Sequence, residues 1–251
     1  MIYDPQWVTS PQGRVLSLSL PFTLSDAPLR GAAVRHYFDN LLPDSDIIRR
    51  RLQARFHTTD TQAFALLEAV GRDCVGAIQL LPPGERPEDI KTIRVRPLDE
   101  TQVAEYLRVT AISPMAIGRH EHWNDDFRIS LAGAQKKTAF LWHEEQWCRP
   151  LDATPTTHIF KLPLGRVGNR RADMRTSVEN EWLCSRVLHH FGVPVANCRM
   201  AYFEDQKALI VERFDRRYDP QGYWLRLPQE DFCQATATPS SNKYEADGAC
   251  L

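Results

Sequence analysis

The chain has 251 residues, 43% of them hydrophobic, which is enough for one large core or two small ones and too many for a disordered chain. Lys and Arg number 31 against 32 Asp and Glu, so no overall field draws the protein to nucleic acid or to an anionic membrane. Six cysteines, at 74, 148, 184, 198, 233 and 250, form no CxxC pair and lie mostly in apolar segments, a pattern of reduced buried thiols and not of a disulfide frame or a zinc site.

The opening MIYDPQWVTS has no basic region ahead of an apolar core, and no later run reaches the roughly 18 apolar residues of a membrane helix, so a cytoplasmic location is expected. Residues 15–20, VLSLSL, alternate Leu16, Leu18 and Leu20 with serines, the period of a half-buried strand ended by Pro21. In LLPDSDIIRRRLQARF, Asp44 and Ser45 are possible caps of a helix whose Ile48, Leu52 and Phe56 share a face, while Arg49 to Arg51 mostly point to water. A second helix is expected over Thr61 to Val70, with Asp60 able to cap it, Phe64 and Leu67 inward, and Gly71 in a left-handed stop. VGAIQLLP reads as a strand, broken by Pro82, Pro83, Gly84 and Pro87, and a short helix follows near residues 99–108. A boundary then falls between about residues 108 and 124, giving an N-terminal subdomain 1–108, a connector 109–124 and a second unit 125–251.

The second unit changes character. RISLAG, KTAFLW, QWCRP, THIFKLP, ANCRMAYF and KALIVERF are short strands with little between several of them, which favours antiparallel meander pairing. One helix, from Ser177 to Gly192, interrupts the series after the fourth strand, so the fold class is α+β. That is the plan of a small kinase lobe.

Four pieces carry chemistry. A turn of small residues, AGAQ, brings backbone N–H groups close to a ligand, and Lys136 and Lys137 add charge where phosphate oxygens would sit, although the same residues also make an ordinary hairpin. Lys161 lies inside an apolar strand and must be paired if it points inward; on an edge strand it would face water. Glu181, on the following helix, has the order and spacing of a carboxylate that holds a strand lysine on nucleotide phosphates, and equally of a first-turn glutamate favoured by the helix dipole. LIVERFDRR runs an apolar strand into Glu212, Arg213 and Phe214, where a kinase hinge would sit. His120 and His122 lack a third ligand at metal spacing, His189 and His190 suit a helix C-terminus, and Trp142, Trp147 and Trp182 read as core.

In order along the chain, DFRISLAGAQKKTAF, THIFKLP, NEW, VERFDRR, RLPQEDFCQ and SSNKYEADG resemble the HipA family of bacterial serine/threonine kinases, the toxins of HipBA-type toxin–antitoxin systems. VLSLSLP, FDNLLPDS and GRDCVGAIQL extend the resemblance through the first half. The resemblance implies a kinase-like nucleotide lobe behind a small α/β N-terminal subdomain. It implies an ATP-phosphate loop of Ala132, Gly133, Ala134, Gln135, Lys136 and Lys137, phosphate contact by Lys161, a hinge at Glu212, Arg213 and Phe214, and autophosphorylation at Ser130 that expels the loop. ATP and Mg2+ are the implied cofactors. The implied partners are a HipB-like helix-turn-helix antitoxin, DNA only through that antitoxin, and a protein serine substrate such as one on an aminoacyl-tRNA synthetase.

Two departures qualify the resemblance. The family has a further strand-rich stretch ahead of MIYDPQW, and it continues into a helical lobe with a catalytic aspartate in a DGHAKNF-like motif and a later magnesium-binding aspartate; this sequence reaches only Asp247 and Gly248 in YEADGACL. The expectation is a C-terminally truncated kinase chain with no complete catalytic set and no Mg2+ ligands, inactive alone or active with parts supplied by another polypeptide. The second expectation is a binding module that associates with an intact kinase or with the antitoxin, and the third a chain that folds poorly because the interlobe surface is exposed.

Overall fold

A computed structural model describes residues 1–23, 27–87, 89–111, 130–133, 135–167 and 172–244. The first unit is helical: α1 (Pro5–Thr9), α2 (Ala32–Asp39), α3 (Asp46–Phe56) and α4 (Ala63–Val70). Its core joins Leu20, Val34, Tyr37, Phe38, Leu41, Leu42, Leu66, Leu67, Val70 and Cys74. β1 (Val95–Pro97) and α5 (Glu100–Ala111) come next in the chain but pack with the second core.

The second unit contains β2 (Lys137–His143), β3 (Gln146–Pro150), β4 (His158–Lys161), β5 (Gly165–Val167), β6 (Ala172–Met174), α6 (Ser177–His190), β7 (Cys198–Phe203), β8 (Gln206–Glu212), β9 (Arg216–Asp219), β10 (Tyr223–Arg226) and α7 (Phe232–Ala235). Among the described residues, six strands form an antiparallel sheet in the order β1-β3-β2-β4-β8-β7, and β5-β6 and β9-β10 are separate hairpins. Phe140, Phe160, Ala208 and Ile210 face α5, whose Val103, Ala104 and Leu107 complete that core. The Phe140 and Phe160 rings meet edge to face at 4.9 Å. Residues alternating with them, Lys161 and Lys207, reach Glu181 and Glu179 of α6 on the opposite face. The sheet is thus covered by one helix on each side, an α+β arrangement as the strand pattern predicts.

Several local expectations are corrected. Residues 15–20 form no strand, only a bridge between Ser17 and Leu20; Ser17 is buried and Leu18 is 75% exposed, because the Ser17 and Ser19 hydroxyls both donate to the Gln234 carbonyl (3.1 and 2.6 Å). VGAIQLLP is not a strand either; Ile78 and Leu80 pack irregularly against the first core. Arg49 does not face water: its guanidinium lies on Asp39 at 2.6 Å and on the Pro43 carbonyl at 2.7 Å. Phe64 is 52% exposed, and Gly71 ends α4 at φ −79° without a left-handed residue. Trp147 is buried as expected, whereas Trp142 is on the surface. Cys184 is exposed, against the expectation of a buried thiol. Of the expected strand RISLAG, residues 130–133 are irregular and the first two lie outside the described residues, as do His120, His122 and Asp247.

After β10 the chain returns to the first unit as a strap over residues 230–244. α7 is closed by a capping box between Asp231 and Gln234. His36 Nδ1 bonds the Ala237 carbonyl at 2.7 Å, Asn40 donates to the Thr238 carbonyl at 2.9 Å, and the Ser240 hydroxyl donates to Asp39. The last described residues, Lys243 and Tyr244, reach the Asp44 carboxylate at 3.3 and 3.2 Å.

Candidate functional site

Between α5 and β2, the chain enters the site through Ser130. Its N–H donates to the Asp73 carbonyl at 3.1 Å and its hydroxyl to the Leu41 carbonyl at 2.7 Å, with no surface exposed. The next residues turn sharply at Gly133, whose φ of +101° suits glycine. A Cβ there would stand 2.7 Å from Lys137 Nζ, so glycine is what lets that ammonium fold over the loop and donate to the Ala132 carbonyl. Gln135 ties the loop to the Leu162 carbonyl at 2.8 Å, and Lys136 caps the Ala111 carbonyl at 2.6 Å. Ala134 lies outside the described residues.

Lys137 stands opposite Lys161 in the β2–β4 register, and Lys161 makes an ion pair with Glu181. The sequence left this lysine either paired inward or on an edge; β4 is central in the sheet, and the pair forms. Burial, and then the neighbouring Lys161 ammonium, push the Lys137 amine down to about 8, while Asp44 and Glu181 pull the other way. Lys136 is also lowered, by burial and by the charge of Arg51. A glycine turn with lysines crowded behind it has more positive charge than its own carboxylates balance, which is the condition for taking up an anion with several charges.

The residues expected at a hinge are placed differently. The Glu212 N–H donates to the Asn197 carbonyl at 2.9 Å, and Phe214 is 74% exposed. The Arg213 N–H is taken by the Thr157 carbonyl at 2.9 Å, and its side chain turns away from the lysines into the seam between the two units. There Asp73 accepts from Arg213, Arg216 and Arg226 at 3.3, 3.0 and 3.3 Å and from the Thr156 hydroxyl at 2.6 Å. Asp215 takes Arg213 and Arg216 at 2.8 and 2.9 Å and the Gly76 N–H at 2.7 Å. Burial alone would raise the Asp73 carboxyl, but the three guanidinium groups hold it far below the usual carboxylate range. This cluster was not read from the sequence as a structural unit. Its arginine-rich signal, ERFDRR, was visible, but its partner, Asp73, is 140 residues away.

Asp44 and Lys243 were likewise not read as site residues. Asp44, expected to cap α3, instead donates its N–H to the Gly133 carbonyl at 3.4 Å and turns its carboxylate to the strap. Among the described residues, no group of three or more His, Cys, Asp or Glu is arranged to hold a metal ion, and no helix is long and apolar enough to cross a membrane.

Comparisons with known proteins identify related chains. Residues 1–81 match the model of the HipA N-terminal domain, and residues 129–250 that of the HipA-like C-terminal domain. The chain is 31% identical over 249 residues to Y4mE of Sinorhizobium fredii, a protein whose name marks it as a candidate kinase, covering 98% of this chain and 56% of that one. It is 29% identical over 244 residues to the serine/threonine-protein kinase toxin HipA of Shewanella oneidensis, covering 97% and 51%. A solved complex of HipA, HipB and operator DNA from the Shewanella oneidensis MR-1 toxin–antitoxin system contains a chain that superposes with a TM-score of 0.72 at 29% identity, over 99% of this chain and 53% of that one. The chain therefore spans about half the length of the curated relatives it matches. With both family models matched in order and the fold shared over 99% of this chain, the chain belongs to the HipA family.

Proposed function

We propose that this chain forms the nucleotide-binding part of a HipA-like serine/threonine protein kinase toxin, with the phosphates of ATP held by the loop Ala132–Lys137 and by Lys161. The observation that carries this reading is the Lys161–Glu181 pair between sheet and helix, set beside the half-buried, charge-crowded Lys137. Glu181 would fix the Lys161 ammonium, and the segment Glu212–Phe214 would border the adenine with exposed Phe214 rather than with Arg213. Mg2+ would enter with the nucleotide. Transfer to a protein serine needs an acceptor-side carboxylate and metal-binding carboxylates, and these 251 residues contain no DGHAKN-like run to supply them. The substrate, such as an aminoacyl-tRNA synthetase, and a HipB-like antitoxin as partner belong to the same proposal, as does a cytoplasmic location.

The test is titration of the purified chain with Mg-ATP by calorimetry, beside Lys161→Met, followed by intact-mass measurement beside Ser130→Ala. Saturable binding that Lys161→Met loses supports a nucleotide site. A phosphate-sized mass gain absent from Ser130→Ala would show that transfer chemistry is also present.

One observation favours a second reading, a binding module. The C-terminal half of α6 and the turn after it leave Leu183, Val187, Leu188, Phe191 and Val193 exposed, Phe191 at 78%. An apolar ridge of this kind suits association with another polypeptide, an intact HipA-type kinase or the antitoxin. Failure to co-purify with either at low salt would remove this reading.

A further inference from the structure

The strap ends at the candidate phosphate site, and the way it does so is specific. The Lys243 ammonium is 3.3 Å from Asp44 Oδ1 and 3.8 Å from Asp231, and the Tyr244 hydroxyl donates to the other Asp44 oxygen at 3.2 Å. The Asp44 carboxylate is almost fully buried, its own N–H is on the Gly133 carbonyl, and Gly133 lies against Lys137 Nζ. One acidic residue therefore touches the glycine turn with its backbone and the strap with its side chain.

We propose that Lys243 is a further phosphate-binding cation of this site, delivered by the strap and held back by Asp44 until a polyphosphate displaces that carboxylate. This rests on the nucleotide reading of the lysine cluster. The chemistry is a competition between two anions for one ammonium. Asp44 offers a single negative charge, whereas a triphosphate offers several, beside Lys137 and Lys161, where carboxylates undercompensate the cations. The half-buried Lys137 feels both members of the pair: Lys243 adds to the repulsion that lowers its amine and Asp44 relieves it. Lys243 is thus electrostatically part of the cluster although it arrives from a residue more than 100 positions downstream of the loop.

The two members of the pair have opposite expected effects, which separates this role from a merely structural contact. Binding of tripolyphosphate and of Mg-ATP to the full chain would be measured by calorimetry for the wild type, Lys243→Ala, Lys243→Arg and Asp44→Asn, with melting temperatures recorded for each. Lys243→Ala is expected to weaken tripolyphosphate by about three- to tenfold, Asp44→Asn to strengthen it by a similar factor, and Lys243→Arg to bind within about twofold of wild type. A structural contact would instead shift affinity in the same direction for Lys243→Ala and Asp44→Asn, as both break one bridge. If the wild type binds and both variants weaken, or neither moves, the role of Lys243 is overturned and the nucleotide site stands. A folded wild type that binds neither probe overturns the nucleotide reading itself, and this inference with it.

Discussion

The seam around Asp73 and the site around Gly133 are both built from three long cationic side chains and two carboxylates, yet they differ in burial and in how their cations are bonded. In the seam, three buried arginines meet two aspartates, and several further donors reach backbone carbonyls: Arg213 and Arg216 on Cys74 at 3.0 and 2.8 Å, Arg216 on Gly76 at 2.9 Å, and Arg226 on Ala153 at 2.9 Å, while Nε of Arg216 and of Arg226 is left without a hydrogen bond among the described residues. The planar forks suit this dense bonding. At the glycine turn the cations are lysines, partly exposed, with Asp44 and Glu181 shared among Lys137, Lys161 and Lys243. A buried, densely bonded cluster fixes how two units sit together. A partly exposed lysine cluster can exchange its carboxylates for another anion.

The contrast breaks most visibly at Asp73. Asp73→Ala leaves three buried guanidinium groups short of a partner and is expected to lower stability by about 3–5 kcal/mol, or to prevent folding, as read by urea denaturation. Lys161→Met should do the reverse, costing tenfold or more in Mg-ATP affinity with little change in melting temperature, since its pair with Glu181 is partly exposed. Ser130→Ala tests the place where the two regions touch; loss of the bond to the Leu41 carbonyl should cost about 1 kcal/mol in denaturant melts.

Acidity sharpens the comparison. Lys137 is charged below about 8 and neutral above it, so polyphosphate affinity should fall severalfold between pH 7 and 9.5, measured by calorimetry, and Lys137→Arg should flatten the profile. In the ligand-free chain the sign is opposite. Between about 8 and the ordinary lysine value of 10.5 the folded state binds fewer protons than the unfolded one, so the Lys137 contribution to stability rises with pH over that window. Asp73 acts at the other end: its contribution is present above the ordinary carboxylate value and is lost only as acid protonates it. The smallest effect is expected from Arg108→Ala. Arg108 ties α5 to Glu204 and Asp205 on the surface, and its removal should leave the melting temperature unmoved at 150 mM salt.

What the sequence made legible followed from local rules. The alternation in KTAFLW and KALIVERF gives β2 and β8, and Ser177 to His190 has the pattern of α6, so Lys161 and Glu181 could be paired before their contact was seen. The failures share one cause: partners distant in sequence. VLSLSL alternates like a strand, but its serines serve a carbonyl 217 and 215 residues away, which turns Ser17 inward and Leu18 out. Arg49 looked like part of a solvated run until Asp39 was found beneath it. Arg213 looked like hinge because the strand before it was plain, while the carboxylate that claims its side chain lies beyond the subdomain boundary. The division drawn at residue 108 cuts across α5, whose apolar face completes the sheet core and not the helical one.

The strap also has a consequence for the order of events at the ribosome. His36 and Asp39 of α2, and Asn40 and Asp44 in the turn after it, are made early, but the groups they bond, Ala237, Ser240, Thr238 and Lys243, are made about 200 residues later. At roughly 5–20 residues per second, translation leaves those donors and acceptors unmatched for roughly 10–40 s. The helical unit is synthesised ahead of the sheet but completed only when residues 237–243 arrive, and a chain arrested before residue 230 should expose α2 to protease even while its apolar core has already gathered.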